Sequence, residues 1–120
     1  MQILIVDDSK AMRMIVKRTL RQAGFGDHTI REAADGVEGL EAIRSECPDL
    51  VLSDWNMPNM SGLEMLQAIN KEEIDLRFGF VTSEGTAEMR ALAAENGAKF
   101  LITKPFTADD FASCLTAVMA

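Results

Sequence analysis

Three carboxylates stand directly after short apolar runs of this sequence. Asp7 and Asp8 follow the run at residues 3–6, and Asp54 closely follows the run at residues 50–52. Carboxylates that a fold brings together repel one another, and a hard divalent cation with oxygen ligands relieves that repulsion. Mg²⁺ suits such a set because it takes few carboxylates, keeps several waters and bridges to phosphate oxygens. The three residues therefore predict a magnesium site, with Asp7 and Asp8 as a pair suited to holding the metal.

Asp54 is the candidate nucleophile of this set. A carboxylate beside a bound metal can attack a phosphorus centre and form an aspartyl phosphate, and Asp54 stands alone among the three acids. Lys104 is a compact positive charge that can reach phosphoryl oxygens, and the Thr82 hydroxyl can donate a hydrogen bond to one. Neither a histidine nor a general-base dyad accompanies these residues. Hydrolytic turnover of diverse substrates is therefore not indicated.

Each of these residues also has an ordinary structural explanation. Asp8 could cap the helix that follows it, and Thr82 and Ser83 could simply end a strand. Lys104 could be a solvated surface charge, and Pro105 a terminator of regular structure. What favours a site is that these residues fall in four separate segments at one predicted edge of one sheet.

The predicted elements that position this edge are strands alternating with helices. The predicted strands lie at residues 3–6, 29–33, 50–52, 77–82 and 100–102, and apolar residues recur at helical spacing between them. Five such units predict an α/β fold, a doubly wound five-stranded parallel sheet with five helices, since right-handed crossovers leave few other solutions. Sites in such sheets form outside the carboxyl ends of the strands, where the acids, the hydroxyls and Lys104 stand.

Three further predictions concern the helices and the cysteines. The segment 86–96 has a small, alanine-rich apolar face, which indicates a weakly buried helix that is easily displaced. That predicted face consists of Ala87, Ala91, Leu92 and Ala94. Cys47 and Cys114 are interpreted as reduced, core-type thiols. The last helix is predicted to begin at an N-cap, Thr107, with a carboxylate three residues on.

Composition narrows the classes of partner. The 120 residues, 48% of them hydrophobic, suit one domain with a real core. The 12 basic and 19 acidic residues give a net charge of −7, which disfavours direct binding of nucleic acid. No stretch approaches the roughly 20 apolar residues of a membrane span. We therefore expect a cytoplasmic protein that contacts neither nucleic acid nor membrane directly.

Four motifs resemble the response-regulator receiver domain of two-component signalling, and the resemblance spans residues 1–120. They are Asp7-Asp8-Ser9, the stretch 54–62 (DWNMPNMSG), Val81-Thr82 and Lys104-Pro105-Phe106. The similarity is greatest to stand-alone chemotaxis receivers, particularly over the stretch after the third strand. It implies the flavodoxin-like receiver fold for the whole chain.

The resemblance implies a role for each residue of the predicted metal site. Asp54 would be the phosphoacceptor, taking a phosphoryl group from the phosphohistidine of a histidine kinase. Asp8, Asp54 and the backbone carbonyl of Asn56 would bind Mg²⁺ directly, with Asp7 acting through water.

The resemblance also implies which groups contact the phosphoryl group. These are the side chains of Thr82 and Lys104 and the backbone amides of Trp55 and Ser83. The peptide bond between Lys104 and Pro105 would be cis.

Other positions would tune or transmit the signal. Asn56 and Glu84 occupy the two variable positions that, in the family, set how fast the phosphoaspartate hydrolyses. Leu101 stands where the family usually has an aromatic switch residue, and a leucine has neither ring nor hydroxyl, so the usual readout cannot operate in that form. Ser61 stands where aspartate is common and can still cap the following helix.

The resulting hypothesis is a phosphorylation switch that catalyses only its own phosphorylation and dephosphorylation. We expect the five units to use the whole chain, so that output is binding to a downstream protein through the face of the fourth helix, fifth strand and fifth helix. A flagellar motor component is the candidate target, in chemotaxis or motility, and a phosphatase is a further candidate partner.

Three alternatives stay open. The chain could be a receiver module of a longer regulator with a separate output domain. It could be a Mg²⁺-dependent aspartyl-phosphate phosphatase, although that chemistry would want an aspartate where Asn56 stands. A flavin- or nucleotide-binding module would need a loop that cradles phosphate after the first strand, where Asp7 and Asp8 would repel it.

Overall fold

Strands and helices alternate along the whole of residues 1–119, which the computed structural model describes. The strands are β1 Gln2–Val6, β2 Thr29–Ala33, β3 Leu50–Ser53, β4 Arg77–Thr82 and β5 Phe100–Thr103. The helices are α1 Lys10–Gln22, α2 Gly36–Ser45, α3 Gly62–Lys71, α4 Ala87–Glu95 and α5 Ala108–Met119. The predicted α/β alternation is confirmed.

The five strands form one parallel sheet in the order β2-β1-β3-β4-β5. The chain thus winds outward in one direction from β1 and in the other from β3. The change of direction opens a crevice at the carboxyl ends of these two strands, where Val6 and Ser53 are register partners. The predicted doubly wound sheet is therefore confirmed, and its switch point lies between β1 and β3.

Apolar side chains cover both faces of the sheet, which is why the central strands contain continuous apolar runs. One core cluster packs α2, α3 and α4 against one face, and the other packs α1 and α5 against the opposite face. Their largest fully buried members include Phe78, Phe80 and Met65 in the first cluster and Leu20 and Phe111 in the second. The sheet is therefore a rigid platform under the strand ends.

Polar side chains cap the amino ends of the helices. At α1 the cap is a serine, so the neighbouring aspartate is not used as a cap. The side chain of Ser9, and not that of Asp8, caps α1 by accepting from the backbone N–H of Met12. The Asp8 carboxylate is exposed beside the crevice, so the explanation of this residue as a helix cap is wrong. Ser61 caps α3, as the sequence predicted, and Glu64 completes a capping box with it.

The predicted N-cap of the last helix is also confirmed. The Thr107 hydroxyl accepts from the Asp110 N–H at 3.2 Å, and the Asp110 carboxylate accepts from the Thr107 N–H at 2.8 Å. Two orphan donors of the helix terminus are thereby satisfied.

The predicted apolar face of α4 is wrong. Ala93 is buried, whereas Ala87, Ala91, Leu92 and Ala94 are exposed. A helix this rich in alanine has little contrast between its faces, so spacing alone cannot select the inward one. The prediction of weak burial holds, because Leu92 is 41% exposed.

The prediction that Cys47 lies in the core is also wrong, because this residue is exposed. It lies just past the end of α2, near the amino end of β4, where its sulfur is 3.7 Å from the carbonyl oxygen of Asp75. Cys114 is partly buried on α5. Partial desolvation raises the pKa of both thiols, and the nearby carboxylates of Asp49 and Asp75 raise the pKa of Cys47 further, which makes both thiols less nucleophilic than free cysteine.

Within residues 1–119, none of the helices is long and apolar enough to cross a bilayer. The longest, α1, has 13 residues.

Gly62 is expected to tolerate no side chain. A Cβ there would collide with the backbone carbonyl oxygen of Asp54 and touch the Phe80 ring at 3.0 Å. Gly62→Ala should therefore destabilise the protein by about 1–3 kcal/mol, measured by urea unfolding. Gly26→Ala is the matched control, because Gly26 is exposed and its Cβ would meet Cγ of the exposed Arg21 side chain at 2.8 Å, which can turn away. Equal losses in both variants would contradict this account.

Candidate functional site

The carboxyl ends of four strands deliver the predicted residues to one edge of the sheet. Asp7 follows β1, Asp54 follows β3, Thr82 ends β4 and Lys104 follows β5. Carboxylate oxygens of Asp7, Asp8 and Asp54 lie within 4.8 Å of one another. The structure therefore brings together the acids and the lysine that the sequence selected.

Lys104 bridges two of the three acids. Its Nζ lies 3.1 Å from Asp7 Oδ2 and 3.3 Å from Asp54 Oδ2. The side chains are only 16%, 5% and 13% exposed for Lys104, Asp7 and Asp54, so water screens these charges less than it would on an open surface. One ammonium among three carboxylates leaves two negative charges in excess. A divalent cation matches that surplus.

Burial raises the pKa of Asp7 above its ordinary value of 3.8. The desolvation of the carboxylate outweighs a hydrogen bond from the Ser9 N–H at 2.9 Å and the attraction of Lys104. The negative charge of Asp54 raises the pKa further. The charged cluster is therefore held at a cost that a bound cation would reduce.

Both carboxylate oxygens of Asp54 are occupied by donors. Oδ1 accepts from the Trp55 N–H at 2.7 Å, while Oδ2 accepts from Lys104. The Asp54 N–H itself donates to the carbonyl oxygen of Val6 at 2.9 Å, which fixes the residue against β1. The Trp55 amide, assigned to the phosphoryl group by resemblance, here donates to the carboxylate that would carry that group.

Thr82 contributes an unused donor beside this cluster. Its side chain is fully buried, and its hydroxyl oxygen has no hydrogen-bond partner among residues 1–119. A buried hydroxyl left unpaired costs about 1–3 kcal/mol. An acceptor oxygen arriving within its reach would remove that cost.

The loop from β3 to α3 is anchored by residues that the sequence reasoning missed. Asn59 has a φ of 67°, in the left-handed region that asparagine tolerates better than most residues. Its side-chain amide donates to Asp35 Oδ2 at 2.7 Å, and Asp35 in turn caps α2. The carbonyl oxygen of Met60 accepts from the Gly36 N–H at 3.2 Å. The loop that carries Asn56 is therefore tied to the start of α2.

Arg13 is a second residue that the sequence did not reveal. Its Nη1 donates to the backbone carbonyl oxygen of Asp7 at 2.6 Å, and its Nε lies 3.0 Å from Glu32. This long side chain braces the backbone that presents Asp7. Because its acceptor is a main-chain carbonyl, the spacing of side-chain types in the sequence does not predict this contact.

The remaining predicted residues lie around the cluster. Asn56, Ser83, Glu84 and Pro105 are exposed at its rim, and the peptide bond between Lys104 and Pro105 is cis, as the resemblance implied. Leu101 lies further back on β5, partly buried against the first core cluster.

The sheet order and the lysine-bridged acids at its switch point define a flavodoxin-like α/β protein with an acidic site at the carboxyl ends of its strands. The chain belongs to the response regulator receiver domain family, whose model matches residues 3–116. Members of this family are signalling components of two-component systems and are generally non-enzymatic.

The chain is similar to chemotaxis receivers. Chemotaxis protein CheY-3 of Vibrio cholerae serotype O1 is 42% identical over 110 residues, which cover 90% of this chain and 83% of that protein. Chemotaxis protein CheY of Pseudomonas aeruginosa is 40% identical over 110 residues, 90% of this chain and 87% of that one. The solved structure of V. cholerae CheY4 has a TM-score of 0.85 at 31% identity, covering 98% and 97% of the two chains.

Asp7→Asn is expected to stabilise the metal-free protein at neutral pH. Because the folded state raises the pKa of Asp7, it binds this proton more tightly than the unfolded state does. Stability therefore falls as the pH rises from 3.8 through the raised pKa, and it stays lower above that range. The amide removes the buried charge while Lys104 keeps Asp54 as a partner. In EDTA at pH 7, the urea unfolding free energy should rise by on the order of 1 kcal/mol.

The gain from Asp7→Asn should shrink toward zero as the pH falls below 3.8, where the carboxyl is neutral in both states. Asp27→Asn, in the exposed connection before β2, is the control and should change the unfolding free energy at pH 7 by less than about 0.5 kcal/mol. A loss of stability in Asp7→Asn at pH 7 would refute the assigned cost of burying this charge.

Proposed function

We propose that this protein is a phosphorylation switch of a two-component pathway, with Asp54 as the phosphoacceptor. The observation that carries the proposal is the Lys104 ammonium held between Asp54 and Asp7 in a cluster of three carboxylates. A structural ion pair would not need the two surplus negative charges of this cluster. A site that receives a metal and a phosphoryl group accounts for them.

The phosphodonor is a phosphohistidine of a histidine kinase. A carboxylate oxygen of Asp54 attacks the phosphorus atom, a P–O bond forms, and the P–N bond breaks with its electron pair going to the departing imidazole. The product is an acyl phosphate on Asp54. This carboxylate suits the role because the Trp55 amide and Lys104 already fix its orientation.

The donors around Asp54 then serve the transferred group. Lys104, at 3.3 Å from Asp54 Oδ2, needs only a small movement to contact a phosphoryl oxygen. The Thr82 hydroxyl gains in the phosphoryl group the acceptor that it lacks among residues 1–119. The backbone amides of Trp55 and Ser83 complete the donor set. Charge-assisted hydrogen bonds of this kind are about twice as strong as neutral ones.

Asp7, Asp8 and Asp54, with the backbone carbonyl of Asn56, would hold Mg²⁺. These donors are all oxygens, as this hard cation prefers. When bound, the ion supplies the charge that offsets the carboxylates and the phosphoryl oxygens. Asn56 and Glu84, both exposed, would influence how readily water reaches the acyl phosphate.

The output is binding to a downstream protein, and residues 1–120 act as one receiver domain in the cytoplasm. The identity of about 40% to chemotaxis proteins supports a role in chemotaxis or motility. A flagellar motor component is the candidate target, and a phosphatase is a further candidate partner. The net charge of −7 favours protein partners over nucleic acid.

Phosphorylation is tested by incubation with acetyl phosphate and Mg²⁺. We expect an acid-stable, hydroxylamine-labile phosphate on wild type and none on Asp54→Asn. Asp75→Asn is the control, because this exposed acid lies at the opposite edge of the sheet and should leave the phosphate yield unchanged. A wild-type protein that gains no phosphate, or an Asp54→Asn variant that gains as much, would refute the proposal.

Trp55 should report the binding of the metal. It is the sole tryptophan, its amide donates to Asp54, and its ring centroid lies 4.6 Å from that of Phe80. Titration with Mg²⁺ in the millimolar range should change its fluorescence. Asp8→Asn should shift the midpoint to higher concentration, and Asp27→Asn should not. A flat titration of wild type would count against the metal site.

A further inference from the structure

Arg90 joins three segments of the chain through one side chain. From α4, its Nε donates to the carbonyl oxygen of Gly85 at 3.2 Å, and its Nη1 donates to the carbonyl oxygen of Leu101 at 3.2 Å. Gly85 lies in the connection between β4 and α4, and Leu101 lies in β5. The planar guanidinium can serve both acceptors at once, which a single ammonium cannot do with the same geometry.

Few apolar side chains attach α4 to the sheet, so the hydrogen bonds of Arg90 matter more for its position. Within Ala87–Glu95, all of which the structure describes, Ala93 is the buried residue. The carboxyl end of the helix has a tether of its own, since the Asn70 side chain donates to the carbonyl oxygen of Asn96 at 2.7 Å. Arg90 thus secures the amino-terminal half of α4.

The lack of a side chain on Gly85 leaves room for Thr103 and for the guanidinium of Arg90. A Cβ on Gly85 would lie 2.5 Å from Thr103 Cγ2, 3.0 Å from Arg90 Nη2 and 3.4 Å from Leu101 Cδ2. Because β5 is an edge strand, its outer side offers backbone groups to partners other than strands. A cavity of about 250 Å³ lies next to this contact, lined by Arg90, Leu101 and Pro105 together with Ser113 and Cys114 of α5. The side chain of Arg90 therefore has space to swing away from its acceptors.

The acceptor on Gly85 is three residues from Thr82. Thr82 is fully buried, and its hydroxyl lacks a partner among residues 1–119. Three residues span at most about 10 Å when extended, so the segment 83–85 is a short link through which a backbone movement of Thr82 would reach Gly85.

We propose that Arg90 is a positioning residue that couples the end of β4 to α4 and β5. The coupling rests on the proposed function. When Thr82 moves toward a phosphoryl group on Asp54, Gly85 follows and its hydrogen bond to Arg90 breaks. The guanidinium then loses its two-point attachment, and the amino-terminal half of α4 loosens. Leu101 takes part through its backbone carbonyl, so the lack of a ring or hydroxyl in its side chain does not prevent the coupling.

Hydrogen exchange of the α4 amides tests the two halves of this proposal. In the unphosphorylated full chain, Arg90→Ala should exchange about ten-fold faster than wild type over residues 89–93, since two hydrogen bonds to a charged group are lost. Arg90→Lys should also exchange faster, because it keeps the charge and loses the two-point geometry. Arg18→Ala, at an exposed arginine of α1, is the control and should match wild type.

Beryllium fluoride with Mg²⁺, a mimic of the phosphoryl group, supplies the second arm. Wild-type α4 should then exchange about as fast as the Arg90→Ala variant, and the variant should change little further. Trp55 fluorescence should respond to Mg²⁺ equally in both proteins, which shows that the acidic site is intact.

The outcomes separate this proposal from the proposed function. Unchanged exchange in unphosphorylated Arg90→Ala would overturn the attachment itself. The coupling would be overturned if unphosphorylated Arg90→Ala exchanges faster than wild type but its α4 exchange still rises on adding beryllium fluoride by as much as that of wild type. Should neither Trp55 nor α4 of wild type respond to Mg²⁺ and beryllium fluoride, the proposed function fails, and with it the coupling that rests on it.

Discussion

The ammonium of Lys104 between two carboxylates is the interaction on which the site depends. Asp7 and Asp54 each use one oxygen for a backbone N–H, from Ser9 and Trp55 respectively, and the other for Lys104. Both carboxylates are therefore fixed in orientation before any ligand arrives. Asp8 is outside this arrangement and stays exposed, which leaves the cluster with an acid that faces solvent and a net negative charge. The charge that remains unbalanced is what makes the site receptive to a cation.

Such a cluster can exist only where the rest of the fold tolerates its cost. The buried Asp7 carboxylate at the end of β1 opposes folding, because desolvation disfavours its charged form. The core on both faces of the sheet offsets that cost with fully buried strands and large aromatic side chains. The doubly wound order supplies the geometry, because it places the ends of β1 and β3 side by side at the switch point. The acids thus lie where the sheet is rigid and the connections begin.

Much of this could be predicted from the sequence, because continuous apolar runs specify buried parallel strands and parallel strands share one carboxyl edge. That logic located Asp7, Asp54, Thr82 and Lys104 without any coordinates. It failed for α4, whose alanines give no contrast between faces, and for Cys47, which lies beyond the end of its helix. It was also silent on Arg13, Asn59 and Arg90. Arg13 and Arg90 donate to backbone carbonyls, and the partner of Asn59 lies 24 residues away. No local pattern in the sequence predicts such contacts.

The unequal anchoring of the loops decides where a change at Asp54 can travel. The loop from β3 to α3 is held by Asn59 on Asp35 and by the capping box of Ser61, so α3 is the poorer route. The connection from β4 to α4 is short, and it joins the fully buried Thr82 to Thr86, which caps a helix with little buried surface. The site is held firmly on the side of α3 and weakly on the side of α4. In the proposed switch, this asymmetry would direct a change at Asp54 toward α4 and the edge strand β5.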